Sequence, residues 1–115
     1  MALDANGLNA DINGVVLSEE KMRDLGFTDH SPKNWYLCRG LGNDVTFNVS
    51  IPKDGSRLTL SVIDEDFGQH YDYQAILVRN PDFAFALAVK DKVEQVMEHL
   101  SSEGVIEGYV PGMYI

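Results

Sequence analysis

Two seven-residue runs, VTFNVSI (45–51) and RLTLSVI (57–63), are separated by the turn-forming PKDGS. Val45, Phe47, Val49 and Ile51 alternate with Thr46, Asn48 and Ser50, and Leu58, Leu60 and Val62 alternate with Thr59 and Ser61. Strict alternation is the signature of a strand with one buried and one wet face. A two-residue Asp54-Gly55 turn sets Ile51 opposite Leu58, Val49 opposite Leu60, and Phe47 opposite Val62; a four-residue loop gives the same pairing. Turn and apolar face thus agree on one register, and a one-residue slip would put every apolar side chain into water. No other feature constrains the fold as tightly.

The flanking segments complete an α+β reading. In LSEEKMRDLG, Ser18 caps a short helix, Glu19 and Glu20 occupy its first turn, and Gly26 stops it. Leu17 and Met22 are spaced for a hydrophobic staple. NWYLCR, bounded by Ser31-Pro32 and by the Gly40-Leu41-Gly42-Asn43 stretch, reads as a third strand. Tyr73, Ile76 and Leu77 fall at helical spacing behind Asp72, which is placed to cap that turn. Asn80-Pro81-Asp82 reads as the opening of a long helix, with Phe85, Val89, Val93, Val96, Met97 and Leu100 as its apolar stripe and Gly104 as its stop. FAFALAV also has a period of two, but its alternating alanines favour helix over strand.

The expected architecture is a single α+β domain over residues 1–115. A three-stranded antiparallel meander, with the Asp54-Gly55 hairpin, carries helices on one face in the order α-β-β-β-α(α). Residues 1–14 carry no signal that fixes them and leave room for disorder. The tail GVIEGYVPGMYI is too apolar for a free end, so it is expected to pack on the domain or on another subunit, with a type II turn at Val110-Pro111-Gly112-Met113. The element order is similar to that of double-stranded-RNA-binding domains, but Asn80-Pro81-Asp82 stands where those domains open their last helix with lysines. The likeness is one of arrangement only and implies no function.

Charge and cysteine content narrow the function classes. Eighteen acids against nine bases give a formal net charge of −9. Phosphate backbones demand clustered cations, so direct binding to nucleic acid or to an anionic membrane is not expected. No stretch has the length and apolarity of a membrane span. With Cys38 as the only cysteine, neither an intrachain disulfide nor a cysteine-based zinc site is available. The start of the chain shows no basic, apolar leader pattern, and the expected location is cytoplasmic.

The stretch with most chemical content is DEDFGQHYDY, Asp64 to Tyr73. Asp64-x-Asp66-x-Gly68 begins like a calcium loop, but Gly68 and Ala75 occupy positions that need oxygen ligands. Asp66-Phe67-Gly68 matches a kinase magnesium triplet without the glycine-rich or catalytic loops that would give it meaning. Were a divalent metal bound, Asp64, Asp66 and His70 would hold it. The plainer reading ends the strand at Asp64, where an acid continues the apolar row, makes the turn with Asp66 and Gly68, and caps the next helix with Asp72. Phe67, Tyr71 and Tyr73 then cover the end of the core. Trp35 and Tyr36 alternate in a strand, one core and one exposed; an exposed aromatic there is a candidate contact residue.

No catalytic constellation and no cofactor motif emerges. The leading expectation is a non-catalytic interaction or regulatory module whose partner is a protein, basic or a second copy of the chain. It includes an inhibitor of a basic partner, and its contact residues come from Asp64, Asp66, Phe67, His70, Tyr71, Asp72 and Trp35. The alternative is a metal-dependent hydrolase or small-ligand binder centred on the same stretch.

Overall fold

The computed structural model describes residues 8, 12–29, 31–55 and 57–113. Its elements are β1 (Asn13–Gly14), α1 (Glu19–Asp24), β2 (Asn34–Gly42), β3 (Val45–Pro52), β4 (Thr59–Asp64), β5 (Gln69–His70), α2 (Tyr73–Arg79), α3 (Ala84–Ser102) and β6 (Ile106–Glu107). The four strands β2-β3-β4-β5 form one antiparallel sheet, and β1 pairs with β6 in a second. The α+β class holds, but the main sheet has four strands rather than three. The additional strand is β5, which returns along β4 after Asp64 instead of leaving the sheet directly.

The central register is the expected one, with Val49 opposite Leu60 and Phe47 opposite Val62. The ladder ends at Ser50 opposite Thr59; Ile51 and Leu58, one step further, are both buried. The connection is wider than a two-residue turn. Gly55 donates its N–H to the Pro52 carbonyl at 3.2 Å, closing a turn centred on Lys53 and Asp54. At the other end of β3 a tight turn went unrecognised in the sequence. Asn43 and Asp44 both have positive φ (48° and 61°) between the paired Gly42 and Val45, the geometry of a type I′ hairpin. Short polar side chains tolerate that region better than most, so Asn-Asp serves where Asn-Gly is the commoner choice.

One face of this sheet holds the core. Trp35 and Leu37 of β2, Val45, Phe47, Val49 and Ile51 of β3, and Leu60 and Val62 of β4 are all buried. Helix α3 covers this face with Ala86, Val89, Val93, Met97 and Leu100, while Phe85 and Val96 are partly buried at its margin. The stripe is helical from its start, which settles the ambiguity of FAFALAV. Its opening is not Asn80-Pro81-Asp82, however. Those residues form a turn closed by Phe83 N–H on the Asn80 carbonyl (3.1 Å), and α3 starts at Ala84 with no side-chain cap. The physical reason is that Asn80 is already committed to ending α2, its N–H bonded to the Ile76 carbonyl at 2.8 Å.

Described segments near both ends of the chain join this core. Ser18 caps α1 by accepting from Lys21 N–H at 3.2 Å, Met22 is buried, and Gly26 (φ +97°) ends the helix turn. Of the first fourteen residues, Leu8 and Ile12 are buried and Asn13–Gly14 pair with β6, so the allowance for disorder does not extend to them. The rest of that segment lies outside the described residues. A side chain on Gly14 would meet Ile51 Cγ2 at 2.9 Å, which is why β1 carries glycine where it passes the hairpin. The tail packs through Val105, Ile106 and Tyr109 and makes its turn, with Met113 N–H on the Val110 carbonyl at 3.0 Å and Gly112 at φ +85°. Tyr114 and Ile115 lie outside the described residues. Among those described, no helix is long and apolar enough to cross a membrane.

Candidate functional site

Asp64 ends β4 opposite Val45, on the core-facing row and at the rim of the sheet, as an acid following Leu60 and Val62 should. Its Oδ1 accepts the Asp66 N–H at 3.1 Å, starting the Glu65–Gly68 turn, and Gly68 completes it at φ +63°. β5 brings the chain back, pairing Gln69 with Asp64 and His70 with Ile63, and Tyr71 N–H reaches the Val62 carbonyl at 2.9 Å. Asp72 then caps α2, accepting the Ala75 N–H at 3.1 Å. Most of the stretch therefore has a structural duty, and it is a hairpin followed by a helix cap.

The turn does not stand alone. The Asn43-Asp44 turn lies beside it: Glu65 N–H donates to the Asp44 carbonyl at 2.9 Å, and Thr46 Oγ1 donates to Glu65 Oε2 at 2.6 Å. Asp44 thereby joins Asp64 and Asp66. The Asp66 carboxyl is pushed above the usual aspartate range, chiefly by the charge of Asp44, then by partial burial, a hydrogen bond with Asp44 and the charge of Asp64. Tyr71 is raised as well, first by burial and then by Asp64. Its ring meets Phe85 edge-to-face at 5.5 Å, tying the hairpin to α3. Phe67 is the exception to the expected cover over the core. It sits in the turn, past the last rung of the sheet, and is 75% exposed. Tyr73 is fully buried, and Tyr71 is half-buried against the core.

The remaining candidates are dispersed. His70 pairs with Ile63, so it belongs to the face opposite the core, whereas Asp64 belongs to the core-facing row. The trio Asp64, Asp66 and His70 is split across the sheet. Among the described residues, no group of three His, Cys, Asp or Glu side chains is placed to hold a metal ion. Trp35 is the buried member of its pair and Tyr36 the exposed one. Trp35 lies opposite Ile51 while Asp64 lies opposite Val45, roughly 20 Å apart along the sheet. Arg23 and Lys53 lie over the Trp35 ring at 5.3 and 4.6 Å, and Asp29 joins them at 3.1 and 3.2 Å. That cluster clamps the far end of the hairpin and is separate from the acidic turns.

Asp44 escaped the sequence because its neighbourhood with Asp66 is tertiary, although an Asn-Asp pair just ahead of an alternating strand is a readable turn signal. The polar half of the alternation was legible as a wet face; strand pairing adds that Tyr36, Asn48, Ser50, Thr59 and Ser61 lie on it side by side with Cys38.

No family model matches the chain, and no curated protein matches it. A solved structure does: the chain is similar to a DUF1831 family protein from Lactobacillus plantarum, with a TM-score of 0.62 over 85% of this chain and 88% of that one. Sequence identity is 9%, so the likeness is one of fold.

The carboxylate cluster has a testable pH signature. An aspartate whose pKa is raised on folding favours the native state while protonated; that contribution is lost as pH rises through the folded value. Asp66→Asn should therefore raise the melting temperature at neutral pH and lose its advantage below the aspartate range. Asp29, lowered by hydrogen bonds from Lys53 and Arg23, acts in the opposite sense, so the diagnostic quantity is the variant-minus-wild-type difference across pH. A variant no more stable than wild type at neutral pH would show that these charges do not strain the turns.

Proposed function

We propose that this chain is a non-catalytic protein-interaction module that docks a basic protein through the Glu65–Gly68 turn. The observation that carries the reading is Phe67, a large aromatic left 75% exposed at the tip of a hairpin and flanked by Asp44, Asp64, Glu65 and Asp66. An exposed apolar side chain on a well-anchored turn costs the monomer little to present, and aromatic anchors dominate binding energy at interfaces. The acidic rim supplies orientation and encounter rate toward a basic surface rather than affinity. The hydrogen bonds joining the two turns, together with the Asp72 cap, hold the tip in place before binding, which lowers the ordering cost.

The metal-dependent alternative has less support, because His70 and Asp64 face opposite sides of the sheet. The reading is tested by capture from host lysate on the immobilised wild-type domain at two ionic strengths. Screening lengths fall from about 10 Å at 0.1 M salt to about 3 Å at 1 M. Partners of the acidic turn should be retained at the lower salt and released at the higher. Retention indifferent to salt would remove the basic-partner reading.

A further inference from the structure

The face of the main sheet away from the helices carries a shallow concavity of about 270 Å³. It is built by two rungs that each cross three strands. Tyr36, Ser50 and Thr59 form one rung, and Cys38, Asn48 and Ser61 form the next. The side chains of Leu37 and Val49, which complete the lining, are buried in the core, so these two residues contribute floor rather than walls.

The chemistry of this surface disfavours charged ligands. The lining has no lysine, arginine or histidine to meet a phosphate or carboxylate, and no aspartate or glutamate to meet a cation, in a chain that is one-quarter charged. A purely apolar ligand would bury the hydroxyls of Ser50, Thr59 and Ser61 without partners, at a cost of about 1–3 kcal/mol each. The hydroxyls of Tyr36, Ser50, Thr59 and Ser61 make no side-chain hydrogen bond among the described residues, and Asn48 engages only through Nδ2, to Thr46 Oγ1 at 2.9 Å. Its Oδ1 is an additional free acceptor. Tyr36 is 37% exposed beside this array and offers one aromatic surface. An aromatic face for C–H groups beside uncharged donors and acceptors suits an amphipathic, uncharged ring. The volume falls just below the range of drug-sized ligand sites, which begins at about 300 Å³, and suits no more than a single ring.

We propose that this face binds an uncharged polyhydroxylated ring, a monosaccharide, with its C–H face on Tyr36 and its hydroxyls toward Asn48, Ser50, Thr59 and Ser61. The site lies on the opposite side of the sheet from α3 and does not depend on the Phe67 turn.

The test is a titration of the isotope-labelled domain with glucose, galactose and N-acetylglucosamine, each to tens of millimolar, followed by amide chemical shifts. At least one sugar should give saturable shifts confined to the β2, β3 and β4 residues named above. Tyr36→Ala and Asn48→Ala should each weaken that binding about tenfold while leaving the melting temperature near wild type. Two variants on different strands are used so that failure of one to fold does not remove the test. The absence of saturable shifts with all three sugars, saturable shifts elsewhere on the domain, or shifts unchanged in both variants would each overturn the proposal.

Discussion

Phe47→Ala is expected to cost the domain about 3–5 kcal/mol, a large share of the 5–15 kcal/mol that holds a typical domain together. Phe47 is fully buried on the central strand, directly opposite Val62. Its removal leaves a cavity between sheet and helix that rigid strands cannot close. The adjacent rung pairs Asn48 with Ser61 and points the other way. Ser61→Ala should therefore change stability by no more than about 0.5 kcal/mol. Urea unfolding of both variants reads the facing of the sheet directly, through a midpoint that falls sharply in one and stays in the other at unchanged slope. Comparable losses in the two would mean that the strands are out of register.

The second large effect concerns binding. Phe67→Ala should weaken the captured partner by 2 kcal/mol or more, about 30-fold in affinity, with stability unchanged within about 0.5 kcal/mol. The dissociation is what separates an interaction anchor from a core residue: Phe67 is 75% exposed and its ring supports nothing beneath it that the fold requires. Asp66→Asn should act differently, slowing association and flattening the salt dependence while leaving the dissociation rate near wild type. Dissociation and association rates measured by surface-bound kinetics distinguish the two. A partner bound equally well by Phe67→Ala and wild type would move the contact surface away from this turn.

The hairpin was readable because two independent local signals, alternation and turn chemistry, specify the same register. Helix α1 and the Asp72 cap were readable for the same reason, since a cap and a periodic apolar set coincide within a few residues. What escaped was set by partners distant in sequence. β5 is two residues long, and Gln69-His70 has no strand signature of its own; Tyr71 N–H on the Val62 carbonyl is what keeps it in the sheet. β1 and β6 are likewise two residues each and exist only because Asn13–Gly14 and Ile106–Glu107, far apart in sequence, meet. For Trp35 the alternation was visible but its parity was not, and parity was decided by the pairing with Ile51 under Arg23 and Lys53. In the acidic stretch, the local duties of Asp64 and Asp72 were foreseeable from strand parity and capping. The exposure of Phe67 was not, because it depends on the turn carrying that residue beyond the end of the sheet, and neither was the approach of Asp44.

The most direct measurement of the central claim is site-specific photo-crosslinking in the host. A photo-reactive phenylalanine analogue replaces Phe67 in one protein and Val78 in another. Val78 is 84% exposed on α2 and serves as an apolar surface position outside the acidic turn. Irradiation should yield one discrete crosslinked protein of basic character from position 67 and none from position 78. The same product from both positions, or no product from position 67 while the domain remains folded, would contradict the assignment of the Glu65–Gly68 turn as the docking surface.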